Sequence, residues 1–215
     1  MFKGLFDGFD PRDVQAAIDN REAEIDALGA AKVLQRRHRV QTRQVGSDDA
    51  IQKLLPARIE AGESFHVLST GDIDVLSFTR HLLAGLGSFD SLLMTTWRIN
   101  KDDLKQIERW LNAGQVEEFH LLIDVRFQRL APDEYRLAKH LTQTYGGTTS
   151  MCLNHSKFTL MSNAAANAWY VIESSANVNT NRRLEQSAIH NCRALHDFYS
   201  QAIHGIRNRR AAQPA

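Results

Sequence analysis

Apolar and polar residues follow two successive patterns along the chain, and the change falls near residue 63. Beyond it, short apolar runs alternate with longer segments in which apolar residues recur every three or four positions. This arrangement is typical of β-strands that alternate with amphipathic helices. The strands are predicted at Phe65–Ser69, Ser91–Trp97 and Phe119–Val125, and the helices at Asp74–Leu86, Lys101–Ala113 and Pro132–Tyr145.

The alternation predicts an α/β domain, because parallel neighbouring strands need crossover connections and a crossover is usually a helix. The expected fold class is α/β, with a mixed, mostly parallel sheet flanked by helices on both faces. A β-hairpin is expected in the stretch Met151–Glu185, where one apolar run follows Lys157 and a second spans Ala168–Ile172. A last helix is predicted from Arg182 to about Ile206.

The part before the α/β domain is interpreted as a helical N-terminal extension. Asp10 and Pro11 are typical of the N-cap and first turn of a helix, and another helix is predicted from Ser47. A basic run over residues 35–43 is compatible with a solvated surface or with contacts to a phosphate backbone. The predicted division into extension, α/β domain and basic, disordered tail is 1–63, 64–206 and 207–215.

The composition is that of an ordinary soluble globular protein, with 43% hydrophobic and 24% charged residues. Because the formal net charge is +1, any anion-binding site must be local. Two cysteines are too few for a disulfide framework, no signal-peptide pattern is visible, and no apolar run has the length of a membrane span. A cytoplasmic protein with reduced thiols and no membrane contact is therefore expected.

The first strand of the predicted hairpin carries a histidine and a lysine two positions apart. Because strand side chains repeat every two residues, His155 and Lys157 are expected to share a face, with Ser175 and Asn177 arriving from the next strand. Lysine, asparagine and serine can hold the non-bridging oxygens of a phosphodiester, and histidine can attack phosphorus or move a proton. No carboxylate cluster accompanies them, so neither a metal nor another cofactor is predicted.

These residues resemble the HxK(x4)D(x6)GSxN signature of the phospholipase D superfamily, and most closely its small nuclease-type members with one copy of the motif. The matching residues are a histidine, a lysine, a serine, an asparagine and a following acidic residue: His155, Lys157, Ser175, Asn177 and Glu185. Ser162 and Ser174 stand where the family has Asp and Gly. With the preceding β/α units, the resemblance covers roughly residues 64–200.

The resemblance implies a phospholipase D-like fold and a metal-independent phosphodiesterase. Single-motif members of the family form homodimers through the active-site cleft, which implies the same assembly here. His155 of one chain would form a phosphohistidine, while His155 of the other chain protonates the leaving oxygen. Glu185 would hold the tautomer of the imidazole.

The substrate is expected to be a nucleic acid, DNA in the first place, with Trp97 and Arg126 as binding residues at the ends of predicted strands. Each has a plainer interpretation, as a half-buried core aromatic and a surface ion pair. Two alternatives stay open for the whole chain: a binding module of this family without turnover, and an α/β interaction domain with an accidental HxK. A zinc site is disfavoured because His190 and Cys192, two apart, would point to different sides of a helix.

Overall fold

The computed structural model describes residues 47–69, 73–178 and 184–211, with side chains up to residue 206. The chain divides between Thr42 and Arg43 into two compact units, and the described residues belong to the second. The predicted helix that begins at Asp10 and the basic run over residues 35–43 lie outside the described residues. Residues 47–54 are helical (α1), as expected from Ser47.

The described residues form a seven-stranded sheet with the order β1-β7-β6-β5-β2-β3-β4. In chain order the strands are β1 Ser64–Ser69, β2 Phe89–Thr96, β3 Val116–Asp124, β4 Thr149–Cys152, β5 Phe158–Asn163, β6 Ala168–Ser174 and β7 Glu185–Asn191. The pairs β2–β3 and β3–β4 are parallel, and the other neighbouring pairs are antiparallel. Strands β1, β2, β3, β4 and β6 consequently point the same way, while β5 and β7 oppose them.

The α/β class and the mixed sheet are confirmed, as is the hairpin of β5 and β6. The arrangement departs from simple successive crossovers at β1, which lies at the edge beside β7 rather than next to β2. Parallel pairing is therefore confined to the half of the sheet that contains β2, β3 and β4.

Five further helices follow α1 in the described chain: α2 Val75–Leu86, α3 Lys101–Asn112, α4 Phe127–Leu130, α5 Pro132–Thr144 and α6 Arg193–Ala211. Asp74 and Asn100 cap α2 and α3, because their side chains accept the N–H groups of Ser77 and Asp103. Gly87 ends α2 at a φ of 91°, a conformation that glycine adopts without steric cost. The predicted bounds of α2, α3 and α5 are thus confirmed to within a residue.

The two faces of the sheet bury alternate residues of the same strands. Leu121 and Ile123 of β3 pack on the face covered by α1, α2, α3 and α5, whereas Leu122 between them packs on the face covered by α6. The same alternation separates Ile172 from Val171 on β6. Because strand side chains alternate, one strand supplies apolar residues to both layers, and the sheet is buried on both faces.

The predicted helix from Arg182 is wrong in its first half, where the structure has β7, Glu185–Asn191. This stretch is fixed by pairing with β1 on one side and β6 on the other. Helix α6 then begins at Arg193 and continues to Ala211, into the segment predicted to be a disordered tail. None of the helices in the described part of the chain has the length and hydropathy of a membrane span.

The last part of the predicted N-terminal extension belongs to the core of the α/β unit. Ile51, Leu55 and Ile59 are buried in the larger hydrophobic cluster. Asn191 of β7 donates from Nδ2 to the carbonyl of Ile59 at 2.9 Å, and its own N–H donates to Glu63 O at 3.1 Å. Residues 47–63 are thereby tied to the sheet.

Candidate active site

The residues singled out from the sequence lie at one end of the sheet, where several strands have their carboxyl ends. Strands β2, β3 and β6 finish at this end, and the opposing strands β5 and β7 begin there. The set comprises residues that follow β2, β3 and β6, residues just before β5, and the first residue of β7: Trp97, Arg126, Ser175, Asn177, His155, Lys157 and Glu185. The carboxyl ends of strands are the usual place for ligands in α/β sheets.

His155 and Lys157 meet through their side chains. The Lys157 Nζ lies 3.4 Å from His155 Nδ1 and donates to the His155 carbonyl at 3.0 Å. The strand β5 begins only at Phe158, so both residues lie in the connection before it rather than on the strand itself. The expected proximity is found, but the β4–β5 connection produces it instead of strand alternation.

Asn154 holds this connection in place and was not identified from the sequence. Its side chain is buried, and Nδ2 donates to Thr96 O at 3.0 Å, with Leu122 O more distant at 3.4 Å. Its Oδ1 accepts the Ser156 N–H at 3.1 Å and the Ser156 hydroxyl at 2.6 Å. An asparagine oxygen that accepts from the backbone two residues later forms an Asx turn, so its place just before His155 was an available signal.

Thr95 of β2 also holds the β4–β5 connection in place, through hydrogen bonds on both sides of Lys157. Thr95 Oγ1 accepts the backbone N–H of Phe158 at 3.0 Å and lies 3.1 Å from the hydroxyl oxygen of Ser156. Thr95 is buried at 1% exposure in β2. The two residues that flank Lys157 are therefore fixed to the same strand.

The end of β6 brings Ser175 beside Glu185. The Ser175 hydroxyl donates to Glu185 Oε2 and accepts the N–H of Gln186 at 3.0 Å. Ser174 donates its backbone N–H to Lys157 O at 3.0 Å, which connects this turn to the HxK. Glu185 therefore accepts a hydrogen bond from Ser175, whereas the resemblance implied that it would contact the imidazole of His155.

Asn177 enters the site on a backbone tied to β2. The next residue, Val178, donates its N–H to Thr96 Oγ1 at 3.3 Å and forms a β-bridge with Ile99. Asn177 Oδ1 is buried and has no hydrogen-bond partner among the described residues. A buried amide oxygen without a partner lowers the stability of the folded protein.

An aromatic and cationic surface adjoins the histidine. The Trp97 ring centroid lies 6.5 Å from that of His155, and the guanidinium carbons of Arg98 and Arg126 lie 5.9 and 5.8 Å from the Trp97 centroid. Both plainer interpretations also hold in part, since Trp97 is half-buried and Arg126 is ion-paired with Asp124. Half of the Arg126 side chain, 51%, is nevertheless exposed.

Asp124 is buried beneath this surface and binds both Arg126 and the β4–β5 connection. Its carboxylate accepts Arg126 Nε at 2.6 Å and Nη2 at 3.1 Å, and also the backbone N–H groups of Arg126 and Asn154. The guanidinium hydrogen bond lowers the pKa of Asp124 to about 2, and the backbone donors add to this. Asp124 therefore stays ionised and orients Arg126.

The charge of Lys157 is under two opposing influences. Partial burial lowers the pKa of its ammonium, and the negative charge of Glu185 raises it. Glu185 thus acts on the lysine of the HxK as well as on Ser175.

The two residues that depart from the family signature have local roles. Ser162 is buried in β5, where it pairs with Ser91 and Trp169 of the adjacent strands. The Ser174 hydroxyl accepts the N–H of Ala176 at 3.1 Å and lies 3.0 Å from the Ser187 hydroxyl. Ser174 therefore stabilises the turn that leads to Asn177.

The fold is similar to that of several solved structures. A polyphosphate kinase from Porphyromonas gingivalis matches 68% of this chain at 13% sequence identity with a TM-score of 0.50. The phospholipase D family member Nuc from Salmonella typhimurium matches at 15% identity with a TM-score of 0.49, over 68% of this chain and 94% of its own. NucT from Helicobacter pylori matches at 11% identity with a TM-score of 0.45, over 68% and 97%.

The likeness concerns the fold alone, and it agrees with the α/β architecture expected from the sequence. This chain spans 26% of the length of the polyphosphate kinase. No protein-family model matches the sequence, and no curated protein matches it.

Proposed function

We propose that this protein is a metal-independent phosphodiesterase, and specifically a nuclease that cleaves DNA through a phosphohistidine. The observation that supports this most directly is the contact between His155 and Lys157 at the end of the sheet where Ser175 and Asn177 also lie. Cleavage of a phosphodiester by covalent catalysis needs a nucleophile to attack phosphorus, and a cation and hydrogen-bond donors to stabilise the phosphoryl oxygens. The phospholipase D-like fold is consistent with this chemistry.

In the first step, an imidazole nitrogen of His155 attacks phosphorus. A P–N bond forms and the P–O bond to one sugar breaks, and the leaving oxygen takes a proton from His155 of the partner subunit. In the second step, that second histidine removes a proton from water, whose oxygen attacks phosphorus and breaks the P–N bond. The products are one hydroxyl end and one phosphate monoester, and both histidines return to their starting state.

Lys157 and Asn177 stabilise the phosphoryl oxygens in this proposal. The Lys157 ammonium donates at 3.0 Å to a carbonyl and lies at a longer 3.4 Å from the imidazole nitrogen. An anionic phosphoryl oxygen is a stronger acceptor than either and would draw the ammonium toward it. The side-chain NH2 group of Asn177 would donate to a phosphoryl oxygen, whereas its Oδ1, which has no partner among the described residues, can only accept a hydrogen bond.

We assign Glu185 the task of keeping Lys157 charged, since its negative charge raises the pKa of that ammonium. Its hydrogen bond with Ser175 fixes the carboxylate at the site.

Trp97 and Arg126 are proposed to bind the DNA strand beside the scissile phosphate. The ring of Trp97 offers a face on which a base can stack, and the exposed part of the Arg126 guanidinium can meet a neighbouring phosphate. Asp124 orients that guanidinium without burying it.

The proposed mechanism needs two histidines and this chain carries one HxK, so we propose an isologous homodimer with the cleft at its interface. Sedimentation equilibrium would measure the mass. A fully monomeric protein that still cleaves DNA would contradict this part of the proposal.

The deciding experiment measures hydrolysis of single- and double-stranded DNA and of bis(4-nitrophenyl) phosphate in excess EDTA. Wild type should be active, His155→Ala should lose all turnover, and His140→Ala, on the exposed side of α5, should retain it. Acid quenching during turnover of 32P-labelled DNA should leave acid-labile label on wild type. Activity that disappears in EDTA, or that survives in His155→Ala, would overturn the proposal.

A second candidate is a binding module of the same fold that lacks turnover. It is favoured by Ser162 and Ser174, which replace the Asp and Gly of the signature and serve strand pairing and the turn. In this case a well-folded protein binds DNA in a Lys157-dependent way and hydrolyses no substrate.

A further inference from the structure

A cavity of about 630 Å³ opens beside Lys157 on the face of the sheet covered by α6. Its volume lies within the range of small-molecule sites. Lys157 and Phe158 line one part of it, and Glu173, Tyr199 and His66 line another. Ser175 also lines the cavity, and it shares with Lys157 a place in the proposed catalytic site, whereas Phe158, Glu173, Tyr199 and His66 have none.

The carboxylate of Glu173 is held at both oxygens. The hydroxyl of Tyr199 donates to Oε1, and His190 Nε2 lies 3.3 Å from Oε2. His190 is itself positioned by Ser64, whose Oγ lies 2.7 Å from its Nδ1. Each carboxylate oxygen can accept more than one hydrogen bond, and 40% of the Glu173 side chain is exposed. A preorganised acceptor with two oxygens therefore faces the cavity.

Three aromatic side chains line the cavity beside this acceptor, those of Phe158, Tyr199 and His66. The rings of Phe158 and Tyr199 lie 4.4 Å apart, and the ring of His66 meets that of His190 at 5.9 Å, edge to face. Flat walls beside a fixed carboxylate suit a planar group whose edge carries adjacent N–H donors.

The acceptor lies close to the phosphate-binding lysine. Glu173 pairs with Phe158 across the β5–β6 ladder, and the residue after Glu173 donates its N–H to Lys157 O at 3.0 Å. Adjacent strands are about 4.8 Å apart, so one nucleotide can place its phosphate on Lys157 and its base beside Glu173.

We propose that this cavity binds the nucleobase attached to the phosphate that Lys157 holds, and that Glu173 selects guanine. Guanine presents two neighbouring donors, N1–H and the N2 amino group, which match the two carboxylate oxygens. Thymine presents one N–H between two carbonyl oxygens, and these would face the carboxylate unfavourably. The inference rests on the proposed function to the extent that Lys157 must bind a phosphate, and it deepens that function by naming the preferred base.

The test is equilibrium binding of dGMP and dTMP by calorimetry, which needs no turnover. Wild type should bind dGMP about tenfold more tightly than dTMP, as one or two well-made hydrogen bonds to a charged acceptor imply. Glu173→Gln should abolish the preference, and Tyr199→Phe, which frees the carboxylate on one side, should reduce it. The matched control Glu117→Gln changes an exposed carboxylate at the opposite end of β3 and should leave it intact. Lys157→Ala should weaken both nucleotides equally.

Equal affinity for the two nucleotides, no binding of either, or a preference that survives in Glu173→Gln would each overturn the inference. So would tighter binding of phosphoethanolamine than of dGMP, which would assign the cavity to an amine-bearing lipid headgroup. Selective dGMP binding without hydrolysis of DNA would sustain the inference while refuting the enzyme. Conversely, hydrolysis by wild type without selectivity for dGMP would refute the inference alone. Melting temperatures of the variants establish that each is folded.

Discussion

Asn154 should be the residue on which the position of His155 depends most, and Asn154→Ala tests this. The substitution removes three well-formed hydrogen bonds: the one to Thr96 O at 3.0 Å and the two from Ser156 at 3.1 and 2.6 Å. At about 1 kcal/mol each, their loss amounts to about 3 kcal/mol. Leaving the buried Thr96 carbonyl without this donor adds about 1–2 kcal/mol, so the free energy of unfolding should fall by about 4–5 kcal/mol.

A loss of that size is a large part of the roughly 5–15 kcal/mol that stabilises a typical domain. Urea denaturation followed by circular dichroism measures it directly. Asn112→Ala is the matched control, because Asn112 is exposed at the end of α3 and its Oδ1 accepts a hydrogen bond from the Tyr145 hydroxyl. It should cost less than about 1 kcal/mol. If Asn154→Ala costs no more than this control, the account of the β4–β5 connection is refuted.

Three further changes probe the charges and the unpaired amide of the site. Asn177→Ala should raise the free energy of unfolding by about 1 kcal/mol, because it removes a buried oxygen that has no partner among the described residues. Hydrolysis of bis(4-nitrophenyl) phosphate should fall at the same time. A loss of stability would contradict this prediction. Glu185→Gln removes a charge that raises the pKa of Lys157, so the alkaline limb of the kcat/KM profile should move to lower pH, and an unmoved limb would refute the role given to Glu185. In wild type, the lowered pKa of Asp124, about 2, contributes stability above about pH 4 that is lost as the pH falls through 2. Arg126→Gln should raise this pKa and remove that contribution, so acid denaturation should begin at higher pH than in wild type.

The parts of the fold that were predicted correctly are those with strong local patterns. Helix α3 is bounded by Asn100 as N-cap and carries buried Leu104, Ile107 and Leu111 on one side, so its period is legible in the sequence alone. Strand β7 has no such pattern, since only Ile189 and Asn191 within it are fully buried. It becomes a strand through pairing on both of its edges, which is information held by residues far away in the chain.

The candidate site divides in the same way. His155 and Lys157 could be found because their spacing matches a known signature, and Arg126 because it follows a recognisable strand. The contacts that position them could not, since Asn154 reaches the carbonyl of Thr96, 58 positions earlier, and donates its N–H to Asp124. Such contacts exist only once the sheet has brought the ends of β2 and β3 together.

The order of the strands explains why the HxK lies where it does. Strand β4 is beside β3, whereas β5 is beside β2, so the connection between β4 and β5 must pass the ends of β3 and β2. Three interstrand spacings are about 14 Å, and the six Cα–Cα steps from Cys152 to Phe158 reach about 20 Å when extended. The connection is therefore fairly extended, and it runs across the carboxyl ends of β3 and β2. Its middle residue, His155, is carried past the ends of both strands, which is where Trp97 and Arg126 emerge. The same topology that reverses the strand direction at β5 therefore brings His155 together with its aromatic and cationic neighbours.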